Sequence, residues 1–145
     1  MENLKQNDIV SYEINKGFCE YNVDPRPKIL ISTGTGIAPH LSLMQELGLS
    51  GFINSQNLIV IFGCRFSQSD YICKNELVTL KDKFGVPIFT AFSREQKDKM
   101  YVQHILESQQ RQIMSNFIEK NFKDIEIYVC GNSKFLPKSI DRSDN

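Results

Sequence analysis

Four short runs of β-branched and apolar residues recur along this chain: Lys28-Ile-Leu-Ile-Ser32, Leu58-Ile-Val-Ile-Phe62, Val86 to Phe92 and Ile125 to Cys130. Between them the apolar spacing changes from that of a strand to that of a helix. Leu41, Met44 and Leu47 recur within His40 to Leu47, and Ile72, Leu77, Leu80 and Phe84 between Tyr71 and Phe84. Two further helical stretches are predicted at roughly Lys99 to Gln109 and Arg111 to Phe122, the second with Ile113, Met114, Phe117 and Ile118 on its apolar face. Strands alternating with helices require parallel pairing, and a parallel sheet must be covered on both faces. The predicted fold is therefore α/β, a doubly wound parallel sheet. Pro87 falls near the start of the third run, where a missing N–H does least harm.

With 145 residues the chain holds one domain rather than two. Lys plus Arg (17) equal Asp plus Glu (17), so the global field of a nucleic-acid or anionic-membrane binder is missing, although a local basic pocket remains open to it. No apolar run approaches the length of a bilayer span, and Met1 to Asp8 lacks the basic-then-apolar order of a secretory signal. Cys19, Cys64, Cys73 and Cys130 are too scattered for a zinc-type pair, which points to reduced thiols in a cytoplasmic protein. His40 and His104 read as structural or solvated. No Ser-His-Asp set or carboxylate pair has a readable spacing.

In open parallel sheets ligands bind beyond the carboxyl ends of the strands. The chemically distinctive motifs of this chain all fall there: Gly34 and Gly36 after the first run, Cys64 and Arg65 after the second, Ser93 and Arg94 after the third, Cys130 and Gly131 after the fourth. Thr33-Gly-Thr-Gly-Ile-Ala-Pro39 places two glycines between a strand and a helix N-terminus, where free N–H groups suit a pyrophosphate. It is neither a GxGxxG nor a P-loop, so an unliganded tight turn stands beside that reading. Ser93 and Arg94, with Lys99, Tyr101 and Gln103 downstream, combine a hydroxyl and two cations able to hold a phosphomonoester, and an aromatic ring able to stack on adenine. The same residues also make an ordinary solvated turn. Cys130 by itself is more readily a small buried hydrophobe.

Six stretches in order resemble the NADP-binding module of the diflavin reductases, the family of cytochrome P450 reductase. They are Thr33 to Pro39, Phe62-Gly-Cys-Arg65, Tyr71 to Leu77, Thr90-Ala-Phe-Ser-Arg-Glu-Gln96, Lys99-Met-Tyr-Val-Gln-His104 and Tyr128-Val-Cys-Gly131. The resemblance runs from about Val10 to Ile140. It implies a ferredoxin-reductase-type NADP-binding domain in which Gly34, Thr35 and Gly36 meet the nucleotide phosphates, with Cys64, Arg65 and Gly131 also at the cofactor. Ser93 and Arg94, helped by Lys99, Tyr101 and Gln103, would grip the 2′-phosphate of NADPH. Cys130 would support hydride transfer to FAD, from which electrons pass through FMN to a protein acceptor. Gly131-Asn-Ser-Lys134 with Pro137 resembles the branch serving cytosolic iron–sulfur assembly, which suggests an anamorsin-type acceptor. Ser139 stands where relatives carry an acidic nucleotide contact.

The same resemblance divides the chain into residues 1–24, the end of an FAD-binding domain plus linker, with Ile9 to Gly17 as its last strand; residues 25–140, the NADP(H)-binding domain; and residues 141–145, a polar tail. A last helix, a last strand and a terminal aromatic of the family have no counterpart, nor do the FMN and FAD sites. The expectation is a truncated chain with an open edge at its fourth strand, marginal in stability. It would bind nucleotide at most and need flavin domains to be an active oxidoreductase. A non-catalytic nucleotide-binding or interaction module and a degenerate fragment are the alternatives.

Overall fold

The strand-like runs pair side by side, all parallel, in the order β3-β2-β1-β4. These strands are β1 (Lys28–Thr33), β2 (Leu58–Cys64), β3 (Ile88–Phe92) and β4 (Glu126–Cys130). The structure, a computed structural model, describes residues 5–14, 20–115, 117 and 124–131. Cys19, Ile118, Phe122 and residues 132–145, with Lys134, Pro137 and Ser139, lie outside the described residues. In the register Leu30 sits between Val60 and Tyr128, and Phe62 opposes Thr90.

β2 is buried at all seven positions, as expected of a strand flanked by neighbours on both edges and helices on both faces. Alternate residues feed two separate cores. Leu30, Leu58, Val60 and Phe62 meet α1 (Ile37–Leu49) and α2 (Lys74–Phe84) through Leu43, Met44, Leu47, Leu77 and Leu80. Ile29, Ile31, Ile59 and Ile61 meet α3 (Val102–Ser108) and α4 (Gln110–Ser115) through Val102, Ile105 and Ile113, with Phe117 just beyond. The doubly wound α/β arrangement is thus what the chain adopts.

The element bounds differ from expectation for local reasons. α1 begins three residues earlier, and Pro39 occupies its first turn, where no N–H is needed. α2 begins at Lys74 rather than Tyr71 because Tyr71 is spent on tertiary packing: its ring stacks on Phe62 at 5.6 Å and its hydroxyl bonds Thr90 Oγ1 at 3.1 Å. Ile72 therefore lies ahead of the helix and is exposed, as is Met114, which points off the face that buries Ile113. α2 ends at Gly85, whose φ of +66° suits a residue without Cβ. β3 begins at Ile88, and Pro87 lies outside it with its carbonyl accepting from Val60 N at 3.0 Å. Residues 9–14 have no strand partner among the described residues, and Ile9, Tyr12 and Ile14 are exposed. On β4, Ile127 and Val129 stand exposed on the α3–α4 face.

At the amino ends of the strands an ionic cluster joins the approach to β1 onto β4. Lys28 is buried, and its ammonium donates to Asp24 Oδ1 at 2.8 Å and pairs with Glu126 Oε2 at 3.2 Å. Arg26 bridges the same two carboxylates at 2.6 and 2.7 Å. Its guanidinium above all, with Lys28, holds the Asp24 carboxyl well below the usual range, against the opposing effect of burial. Asn22 adds a bond from its Nδ2 to Glu126 Oε1 at 2.7 Å.

His40 is fully buried on α1, edge-on to Tyr21 at 6.1 Å, and neither ring nitrogen has a partner among the described residues. Burial pushes its pKa down from 6.5 to about 4. The folded protein thus binds this proton more weakly than the unfolded chain, so stability falls as pH drops through that window. The loss expected from His40 is about 3 kcal/mol at pH 4. Denaturant titrations at pH 7 and pH 4 should show wild type losing that much more than His40→Phe, and equal losses in both would refute it.

Candidate functional site at the carboxyl ends of the strands

Because all four strands run the same way, their carboxyl ends form one row: Ser93 and Arg94, then Cys64 and Arg65, then the turn at 33–36, then Cys130 and Gly131. In that turn Gly34 to Gly36 make a single 3₁₀ turn that runs directly into α1, whose first turn has no side-chain cap. The two glycines do different work. Gly34 has φ +55° and open space where a Cβ would be, so its backbone is free to face a ligand. Gly36 has an ordinary helical φ of −62°, but a Cβ there would lie 2.7 Å from the Cys130 carbonyl carbon and 2.8 Å from Gly131 Cα. Gly131 is likewise pressed on Thr33, whose hydroxyl would collide with any side chain. The turns after β1 and β4 are therefore in direct backbone contact, which brings Cys130 to the glycine turn. Cys130 itself is half-buried.

The turns after β2 and β3 are zipped together by two bonds that extend the ladder. Ser93 N donates to Cys64 O at 2.9 Å and Arg94 N to Arg65 O at 3.0 Å. Two arginines thereby sit on adjacent chains. Arg65 is exposed and paired with Asp70 at 2.8 Å, while Arg94 is exposed with no ion pair among the described residues. Cys64 contributes backbone rather than side chain to this corner. Its thiol is buried and directed at Phe66 O, and burial, then Asp70 and Glu95, push it up to about 11.

Tyr101 and Gln103 reach the row at the start of α3, and Lys99 lies just ahead of that helix. Buried Val102 packs against Gly63, where a Cβ would come within 2.9 Å of it, and so fixes its two neighbours beside the end of β2. His104 closes the start of α3: its Nδ1 accepts from Tyr101 N at 3.0 Å, and its own N–H donates to Tyr101 O. The Tyr101 ring is 41% exposed, enough to present a face to solvent. A depression of about 260 Å³ is lined by Asp98, Lys99, Met100 and His104. Glu95 and His104 lie inside the motif stretches without a role assigned to them, and sequence reading missed Asp70 and Asp98 as parts of this region altogether. They stand in polar stretches without periodicity, and only their spatial return to the row distinguishes them.

A free helix N-terminus with an open glycine, a half-buried thiol beside it and two exposed cations with a hydroxyl at the other end fit an extended diphosphate ligand carrying an additional phosphate. The family profile of the oxidoreductase NAD-binding domain matches residues 30–139, and the chain belongs to that family. Within it, the chain is 34% identical over 128 residues to NADPH-dependent diflavin oxidoreductase 1 of Danio rerio, covering 88% of this chain and 20% of the relative. It is 28% identical over 144 residues to the same-named protein of Debaryomyces hansenii, covering 97% of this chain and 23% of the relative. It is 34% identical over 122 residues to NADPH–cytochrome P450 reductase of Aspergillus niger, covering 81% of this chain and 17% of the relative. The chain thus spans about a fifth of the length of these curated relatives.

The glycine contrast is testable. Gly36→Ala should cost about 2 kcal/mol or more, because two backbones would have to separate. Gly34→Ala should cost about 1 kcal/mol, from its φ alone. Thermal denaturation of both variants checks the order, and a Gly36→Ala protein melting with wild type would contradict the packing role.

Proposed function

We propose that this chain is the NADP(H)-binding portion of a diflavin oxidoreductase, in which NADPH delivers hydride to FAD and electrons continue through FMN to a protein acceptor. The observation that carries this reading is the single row of strand ends, with its cations gathered at the β2–β3 corner and its open glycine at the head of α1. Similarity to proteins named for NADPH and for two flavins supports it. The matched span is the NAD-binding domain, and both flavins would be held by other parts of the enzyme.

In this reading the Gly34–Thr35 backbone and the start of α1 hold the pyrophosphate. Ser93, Arg94 and Lys99 grip the 2′-phosphate by charge-assisted hydrogen bonds, with Gln103 beside them and the Tyr101 ring against the adenine. Arg65 approaches from the neighbouring strand end. Cys130, carried to the glycine turn by the Gly36 contact, lies at the nicotinamide end and helps orient the ring for transfer. Bound NADPH supplies the hydride; the protein supplies position and charge. The acceptor would be an iron–sulfur protein of the anamorsin type in the cytoplasm, an assignment supported by the Gly131-to-Lys134 sequence.

Calorimetric titration with 2′,5′-ADP and 5′-ADP tests the reading. The 2′-phosphate should improve binding by about tenfold or more, and Arg94→Ala should remove most of that preference. Equal affinity for both ligands, or no binding to either, would refute the assignment.

A further inference from the structure

The loop after β2 is built to hold one guanidinium. It leaves the sheet at Arg65, turns back through a bond from Asp70 N to Phe66 O at 3.1 Å, and returns the Asp70 carboxylate to Arg65 Nη2 at 2.8 Å. The outer end of the loop is anchored separately, because Ser67 N donates to Glu95 of the turn after β3. Glu95 directly follows Arg94, whose N–H is bonded to the Arg65 carbonyl. The loop is thus tied to both arginine-bearing segments, and its backbone carries Asp70 to Arg65. The carboxylate is mostly shielded, with its side chain 23% exposed, and its second oxygen is buried without a partner among the described residues, so Arg65 is what balances its charge.

A surface arginine 60% exposed would otherwise sample many rotamers. We infer that Asp70 is a positioning residue for nucleotide binding: it holds the Arg65 guanidinium at the end of β2, ready for the ligand, without touching the ligand itself. This inference rests on the nucleotide-binding reading above. It adds a residue that the motif stretches do not single out, and it assigns the clamped loop a purpose beyond covering the sheet.

The test is a double-mutant cycle on 2′,5′-ADP binding with wild type, Arg65→Ala, Asp70→Asn and the double variant. Absence of binding by wild type would defeat the nucleotide reading itself and is thereby separated from the cycle. With wild type binding, Arg65→Ala and Asp70→Asn should each weaken affinity about three- to tenfold, and the double variant should be no weaker than Arg65→Ala alone. Asp70→Glu should recover part of the loss by restoring the carboxylate. Unchanged affinity in Asp70→Asn, unchanged affinity in Arg65→Ala, or additive losses in the double variant would overturn the inference. A second readout needs no substitution at Asp70. In ligand-free wild type, NMR should find rotation of the Arg65 guanidinium slowed relative to exposed Arg111, and equal rotation would overturn the inference as well.

Discussion

β1 and β2 have hydrogen-bonded neighbours on both edges and a helix layer on both faces, and everything else in the molecule follows from that confinement. Strands so enclosed have almost no position left for polar chemistry along their length. Function is displaced to their ends, and because the pairing is parallel, the carboxyl ends all emerge on one side. The glycines then carry the tolerances. Gly63 admits Val102 of α3 and Gly36 admits the backbone of Cys130. In each case a missing side chain is what allows two elements to meet at the rim.

Much of this was legible in the residues. The four strands, their parallel pairing and the two helix layers followed from the alternation of apolar spacing, and the rim from where the distinctive residues fell. The helix starts were not legible, because they depend on tertiary events. Tyr71 abandons a helical register to stack on Phe62, and Tyr101 is held at a helix entry by His104. Cys64 belongs to a motif at the rim, yet its thiol is buried and directed at Phe66 O while its carbonyl accepts from Ser93 N. Nothing in the order of residues separates those two outcomes.

The partners of the charged groups were least legible of all. Asp70 lies five residues from Arg65 in a polar turn, and Glu126 lies far along the chain from Lys28. Such pairings form only when loops return, and a linear reading has no periodicity with which to anticipate them. The ionic cluster at the amino ends and the arginine clamp at the carboxyl ends nevertheless share a design. In both, a carboxylate meets a cation across a turn, and both secure a connection that enters or leaves the sheet.

The row of strand ends is also unequal along its length. Arg65, Arg94 and Lys99 crowd toward β2 and β3, whereas the β1–β4 half offers backbone N–H groups, glycine and a thiol. The rim therefore has a head and a tail, which in the proposed reading sets the direction in which the nucleotide lies. That polarity is inherited from the order in which the chain lays down its strands.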